Sequence, residues 1–175
     1  MVAVFLFVFV IVITGSSYLL AQKAYNKGST ENELAQNIRV STDRITREIR
    51  QSVAIVTNLP PTAIDPLNPP APSLTIQDGH DVNRITYITY YLNGSELKRK
   101  QETYYFSSDP NIYVLYNSTD GFGNPPEVAV LSDEIIAEYL SGAEFYGASG
   151  LVNISLTLSK NQKTLKIDTS AYSRN

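Results

Sequence analysis

The 175-residue chain has no cysteine, no tryptophan, one histidine and one methionine. Without cysteine there is neither a disulfide framework nor a thiolate metal site. The one histidine, His80, sits in an Asp-Gly-His-Asp turn. That leaves a zinc site or a Ser-His-Asp triad hard to build, so His80 reads as a surface turn residue. Charge is also scarce. Charged residues make up 18% of the chain and the net charge is -3, against about a quarter charged in an average domain. The basic stripe of a nucleic-acid binder is missing. The longest basic run, Lys98-Arg99-Lys100, falls within an expected strand and reads as a solvated or edge face. There is no phosphate-binding glycine loop, no Gly-x-Ser-x-Gly elbow and no His-Glu-x-x-His pair. The expectation is a protein that is not an enzyme, carries no cofactor and binds no nucleic acid.

Apolar residues make up 43% of the chain, and they are concentrated at its start. Val2 to Ile13 is unbroken, Thr14-Gly15-Ser16-Ser17 interrupts weakly, and Tyr18-Leu19-Leu20-Ala21 resumes; the first charge is Lys23. As a helix, Met1 to Ala21 spans about 30 Å, one bilayer core. Backbone groups in lipid are satisfied only internally, so this segment is expected to be helical despite its β-branched residues. A secretory signal would start with a basic residue and end in a small-residue cleavage site, and neither is present. A plain anchor fits the length. Lys23 and Lys27 just beyond it would, by the positive-inside rule, hold the body in the cytoplasm.

The segment from Glu31 to Val53 predicts an amphipathic helix. Leu34, Ile38, Ile45, Ile49 and Val53 form one apolar stripe at spacings of four and seven. Arg39, Asp43, Arg47 and Arg50 fall on other faces, with Asp43 and Arg47 as an i,i+4 pair. Ser29 or Thr30 is placed to cap its start. The stripe is expected to pack on the domain's own sheet.

Six prolines between Leu59 and Pro72 exclude helix and central strand, which predicts an extended surface connector. Strands are expected at Ser73–Gln77, Arg84–Leu92, Glu96–Phe106, Ile112–Tyr116, Ala143–Tyr146, Val152–Leu158 and Leu165–Ala171, with Asn93-Gly94 as a hairpin turn. Val128–Leu131 is apolar and short. Ser132 to Tyr139 reads as either a short helix or an irregular strand. Asn117 to Pro126 reads as a loop. Asp109, Asn117, Asp120 and Asn124 carry oxygen ligands suited to calcium, but at no EF-hand spacing, and they read as turn residues. Asn93, Asn117 and Asn153 each head an Asn-x-Ser/Thr triplet. One long helix followed by sequential hairpins predicts an α+β fold, the helix packed on an antiparallel sheet. The expected organisation is an apolar helix over 1–22, its amphipathic continuation over 23–56, a connector over 57–72 and a β head over 73–175.

Four stretches carry a family resemblance. They are the opening Val-Ala-Val-Phe-Leu-Phe-Val-Phe, the run Ile45-Thr46-Arg47-Glu48-Ile49-Arg50-Gln51, the tyrosine-bearing hairpin from Ile85 that ends Leu97-Lys98-Arg99, and the close Thr169-Ser170-Ala171-Tyr172-Ser173-Arg174-Asn175. The order of elements resembles the type IV pilins, and among them the minor pseudopilins of J type. This resemblance implies a structural subunit that waits in a bacterial inner membrane, its head outside the cytoplasm, before assembly into a pilus or secretion filament. It implies that Val4, Phe5, Val8, Phe9 and Val12 bundle in the filament core. It also implies that Arg39, Arg44, Arg47 and Glu48 make lateral charge contacts. The implied partners are membrane lipid, other pilin-like subunits and the inner-membrane assembly machinery. Family members begin with a basic leader cut after glycine and carry a glutamate early in the mature helix. Met1-Val2-Ala3-Val4 looks like the point just after that glutamate, and upstream sequence is expected to supply the rest. The alternative is a single-pass membrane protein with an extracytoplasmic binding or adhesion domain.

Overall fold

The computed structural model describes residues 2–81 and 84–174. One helix, α1 (Val2–Gln51), runs unbroken for 50 residues. The Thr14–Ser17 stretch does not interrupt it, because the hydroxyls of Thr14 and Ser16 donate to the carbonyls of Val10 and Val12 one turn back. Such back-bonding lets hydroxyl side chains sit in a helix without competing for its ladder. For the same reason the expected cap at Ser29 or Thr30 is not a helix start. Thr30 is buried mid-helix and donates to the Asn26 carbonyl.

The helix stops short of the expected residue 56. The Ser52 amide and hydroxyl both reach back to the Ile49 carbonyl, at 3.2 and 2.7 Å, and Val53 donates its amide to Gln77 at 3.0 Å. The chain has already turned into a sheet edge at β1 (Ala54–Ile55). The turn at Asp78-Gly79 closes on the helix end. A Cβ on Gly79 would lie 2.1 Å from the Gln51 carbonyl oxygen, so only glycine fits there.

Eight further strands follow: β2 (Ser73–Gln77), β3 (Thr86–Asn93), β4 (Glu96–Phe106), β5 (Asp109–Val114), β6 (Glu127–Ala137), β7 (Leu140–Tyr146), β8 (Leu151–Lys160) and β9 (Lys163–Tyr172). All pair antiparallel. The fold is α+β, a long helix with antiparallel sheets. The stretch left open as helix or irregular strand, Ser132 to Tyr139, is mostly strand: β6 runs to Ala137, with register shifts that mark bulges.

The first sheet has the order β1-β2-β3-β4, with β6 along the far side of β4 and β5 continuing where β3 ends. The second sheet is β7-β8-β9. The two are stitched where Ala71 and Phe145 exchange backbone hydrogen bonds of 2.8 and 2.9 Å. The layer therefore runs β6-β4-β3-β2-β7-β8-β9, and α1 contacts β6 at one end and β8 and β9 at the other. The helix fills the seam of this open roll. One core joins all layers, with Leu34, Ile38, Ile45 and Ile49 of α1 buried against Leu74, Ile76, Ile88, Leu97, Phe145, Ile154 and Leu156.

Candidate assembly surface

α1 has two halves with different surroundings. From Val2 to Lys27 every described side chain is exposed. Val4, Val8, Phe9 and Val12 each leave more than half of their surface open, at 66%, 53%, 56% and 57%. The side chain of Phe5 lies outside the described residues. This half is long and apolar enough to cross a membrane. From Thr30 onward one stripe is buried. Leu34, Ile38, Ile45 and Ile49 enter the core, whereas Val53 lies beyond the helix end and is 52% exposed. The four-residue step from Ile49 to Val53 fails because the helix ends first, at Gln51.

The helix also buries polar groups that the apolar stripe did not reveal. The Ser41 hydroxyl donates to the Asn37 and Ile38 carbonyls. Glu48, expected at an intersubunit surface, is only 7% exposed. Its carboxylate accepts from Arg99 Nε at 3.1 Å and from the Tyr90 hydroxyl at 2.5 Å. Arg44 reaches Glu48 at 3.5 Å and Glu134 at 3.2 Å, and Arg99 reaches Glu134 at 3.4 Å. Glu48 and Arg44 are therefore spent on locking α1 to β3, β4 and β6. Burial, with the neighbouring Glu48 charge, pushes the Tyr90 phenol well above its ordinary pKa. Burial alone would lower the Arg44 pKa, but the bonds to Glu134 and the Glu48 charge raise it.

Arg99 corrects the reading of Lys98-Arg99-Lys100 as a solvated run. Arg99 is 7% exposed on the inner face of β4. Lys98 and Lys100 point the other way, toward Asp133 at 3.8 Å and Glu102 at 2.8 Å. Strand alternation was the signal available in the sequence, since the middle residue of three must face opposite its neighbours.

Arg39 and Arg47 are exposed and, among the described residues, make no ion pair; Asp43 and Arg47 do not reach one another. At the start of the packed half, Glu33 pairs with Lys160 at 2.6 Å and Glu31 with Lys163 at 3.2 Å. These bonds clamp the β8–β9 hairpin across α1. The bond from Lys160 holds the Glu33 carboxyl below its ordinary range.

The four oxygen-ligand residues do not assemble into one site. Asp120 accepts from the Phe122 and Asn124 amides, both at 2.8 Å, and from the Asn124 side chain at 2.9 Å. Asp120 and Asn124 thus build a closed turn. Asp109 begins β5, and Asn117 is exposed in the loop after it. His80 bonds Asp78 at 2.6 Å within its turn. Tyr87, Tyr104 and Tyr116 pack edge to face, with centroids 5.3 and 5.6 Å apart around Tyr87, as cross-strand partners do. The surface that stands out is therefore the helix itself: an apolar half projecting free of the head, and a basic outer face beside the core-packed stripe. No family model, curated protein or solved structure matches this chain.

Proposed function

We propose that this protein is the structural subunit of a filament of the type IV pilus or type II secretion kind, most like the minor pseudopilins, anchored and assembled through α1. The observation that carries the reading is the continuity of that helix. A single 50-residue element exposes an apolar half to the surroundings and builds its other half into the core of the head. A tether alone does not require this continuity, since a flexible linker would connect span and head equally well. A stiff connection fixes the head relative to the helix axis, which a regular filament requires.

Before assembly the apolar half resides in lipid, where its helical backbone satisfies its own polar groups. On assembly Val4, Val8, Phe9 and Val12 exchange lipid for other helices, and the head faces outside the cytoplasm. Catalysis is assigned to the partner machinery and not to this chain. Immunogold electron microscopy of the tagged full-length chain on native cells tests the proposal. Label along or at the tip of thin filaments is the expected result. Label confined to the membrane, with no filament, would favour the single-pass binding domain.

A further inference from the structure

The end of the apolar span and the underside of the head meet at one groove. Asn26, Lys27 and Thr30 of α1 line one wall, Asn161 and Lys163 of the β8–β9 hairpin line the other, and the volume between them is about 210 Å³. The hairpin is held to the helix here by the Lys163–Glu31 bond at 3.2 Å and the Lys160–Glu33 bond at 2.6 Å. Among the described residues Lys27 makes no ion pair, and Lys23 follows one turn nearer the span. Lys23, Lys27, Lys160 and Lys163 therefore stand against only Glu31 and Glu33, and the corner keeps an excess of positive charge. The side chains of Lys163 and Glu31 are 41% and 53% exposed. A pair so open to water is weak, so Lys163 is free to exchange Glu31 for a stronger anion.

The groove also has a fixed height above the span. No charge precedes Lys23. Tyr18 and Tyr25 are 68% and 76% exposed, and tyrosine rings settle at a lipid–water boundary. Lys27 lies about 9 Å beyond Ala21 along the axis, at 1.5 Å per residue. Helix side chains lean toward the N-terminus, here toward the membrane. A lysine stem carries its ammonium back by about one turn, into the headgroup layer. We infer that this groove binds the phosphate of an acidic glycerophospholipid, held between the Lys27 and Lys163 ammonium groups, with the Asn26 and Asn161 side-chain amides as further donors. The inference rests on the membrane-anchored state proposed above and not on filament formation. Charge complementarity and continuity with the span select the ligand, because the bilayer presents its phosphates at this level. A lipid held there pins the β8–β9 turn, and with it the head, against the membrane surface.

For the test, the full-length chain is reconstituted in nanodiscs of equal parts phosphatidylglycerol and phosphatidylcholine and released into mild detergent. Native mass spectrometry counts the lipids it retains. Retention of phosphatidylglycerol about tenfold above phosphatidylcholine is the expected result. K27Q/K163Q should abolish that preference and K27R/K163R should keep it. K166Q removes an exposed lysine of β9 outside the groove and should leave it unchanged. A preference that survives K27Q/K163Q, or falls equally with K166Q, would overturn the site. Displacement of the lipid by excess inorganic phosphate would overturn the lipid assignment in favour of a free anion. A chain that enters the nanodisc without preference would overturn the inference and leave the anchor standing, whereas a chain that fails to enter would remove both. The absence of tryptophan allows a second readout. T164W, at an exposed position beside Lys163, should be quenched by a phospholipid carrying a nitroxide on its headgroup. Adding K27Q/K163Q should remove most of that quenching, and quenching that persists would contradict the pinned head.

Discussion

Glu48 is almost wholly buried, and its carboxylate accepts from three groups: Arg99, Arg44 and the Tyr90 hydroxyl. Removing one partner of a buried pair strands the other. R99A is expected to destabilise the solubilised chain by about 3–5 kcal/mol, whereas replacing Glu48 and Arg99 together by apolar residues should be far milder. Thermal unfolding followed by circular dichroism reads the difference. The Tyr90 phenol gives a pH signature. Unfolded, it ionises near pH 10; folded, its raised pKa keeps it neutral. Its contribution is therefore whole below about pH 10 and is lost as pH rises beyond that. Y90F should flatten the alkaline limb of the stability profile, and an unchanged limb would remove Tyr90 as its source. Glu33 works in the opposite sense. Its depressed carboxyl pKa contributes stability above the unfolded value near 4.3, lost as pH falls through the folded value, and E33Q should weaken that acid sensitivity.

Among the elements, α1 was legible in the sequence for the most part, and its exceptions have local causes. Leu34, Ile38, Ile45 and Ile49 follow helical spacing because only the buried stripe must be apolar. Ser41, Thr30 and Ser52 broke the pattern because their hydroxyls find carbonyls in the preceding turn, which leaves no hydropathy signal. I45A or I49A should cost about 2–5 kcal/mol, while V53A should stay within about 0.5 kcal/mol; chemical denaturation of the solubilised protein compares them. Most strands were legible through alternation and through Asn93-Gly94, but β1 and the bulged β6 were not. The β8–β9 turn was not, because Asn161 and Gln162 hold positive φ of 50° and 64° without the glycine that usually signals it. The charged residues were the least legible. Periodicity puts Glu48 at the flank of the stripe, and only the sheet that folds over it decides between an outer contact and a buried lock.

At the level of the whole molecule, the head is a roll of two stitched sheets whose seam is filled by α1. That arrangement leaves the outer face of the helix free and sends its apolar half out of the head as a rigid extension. Hydropathy made the apolar half visible. The closing of the roll by Ala71 and Phe145 depends on contacts distant in sequence and was not visible. In a filament subunit the projecting half must meet other helices as well as lipid. The direct measurement is isolation of the tagged full-length chain from native membranes, with mass spectrometry of what accompanies it. Pilin-like subunits, a prepilin peptidase or an assembly ATPase in stoichiometric excess over bulk membrane protein is the result the account predicts. A chain recovered alone, or with unrelated surface proteins, would contradict it.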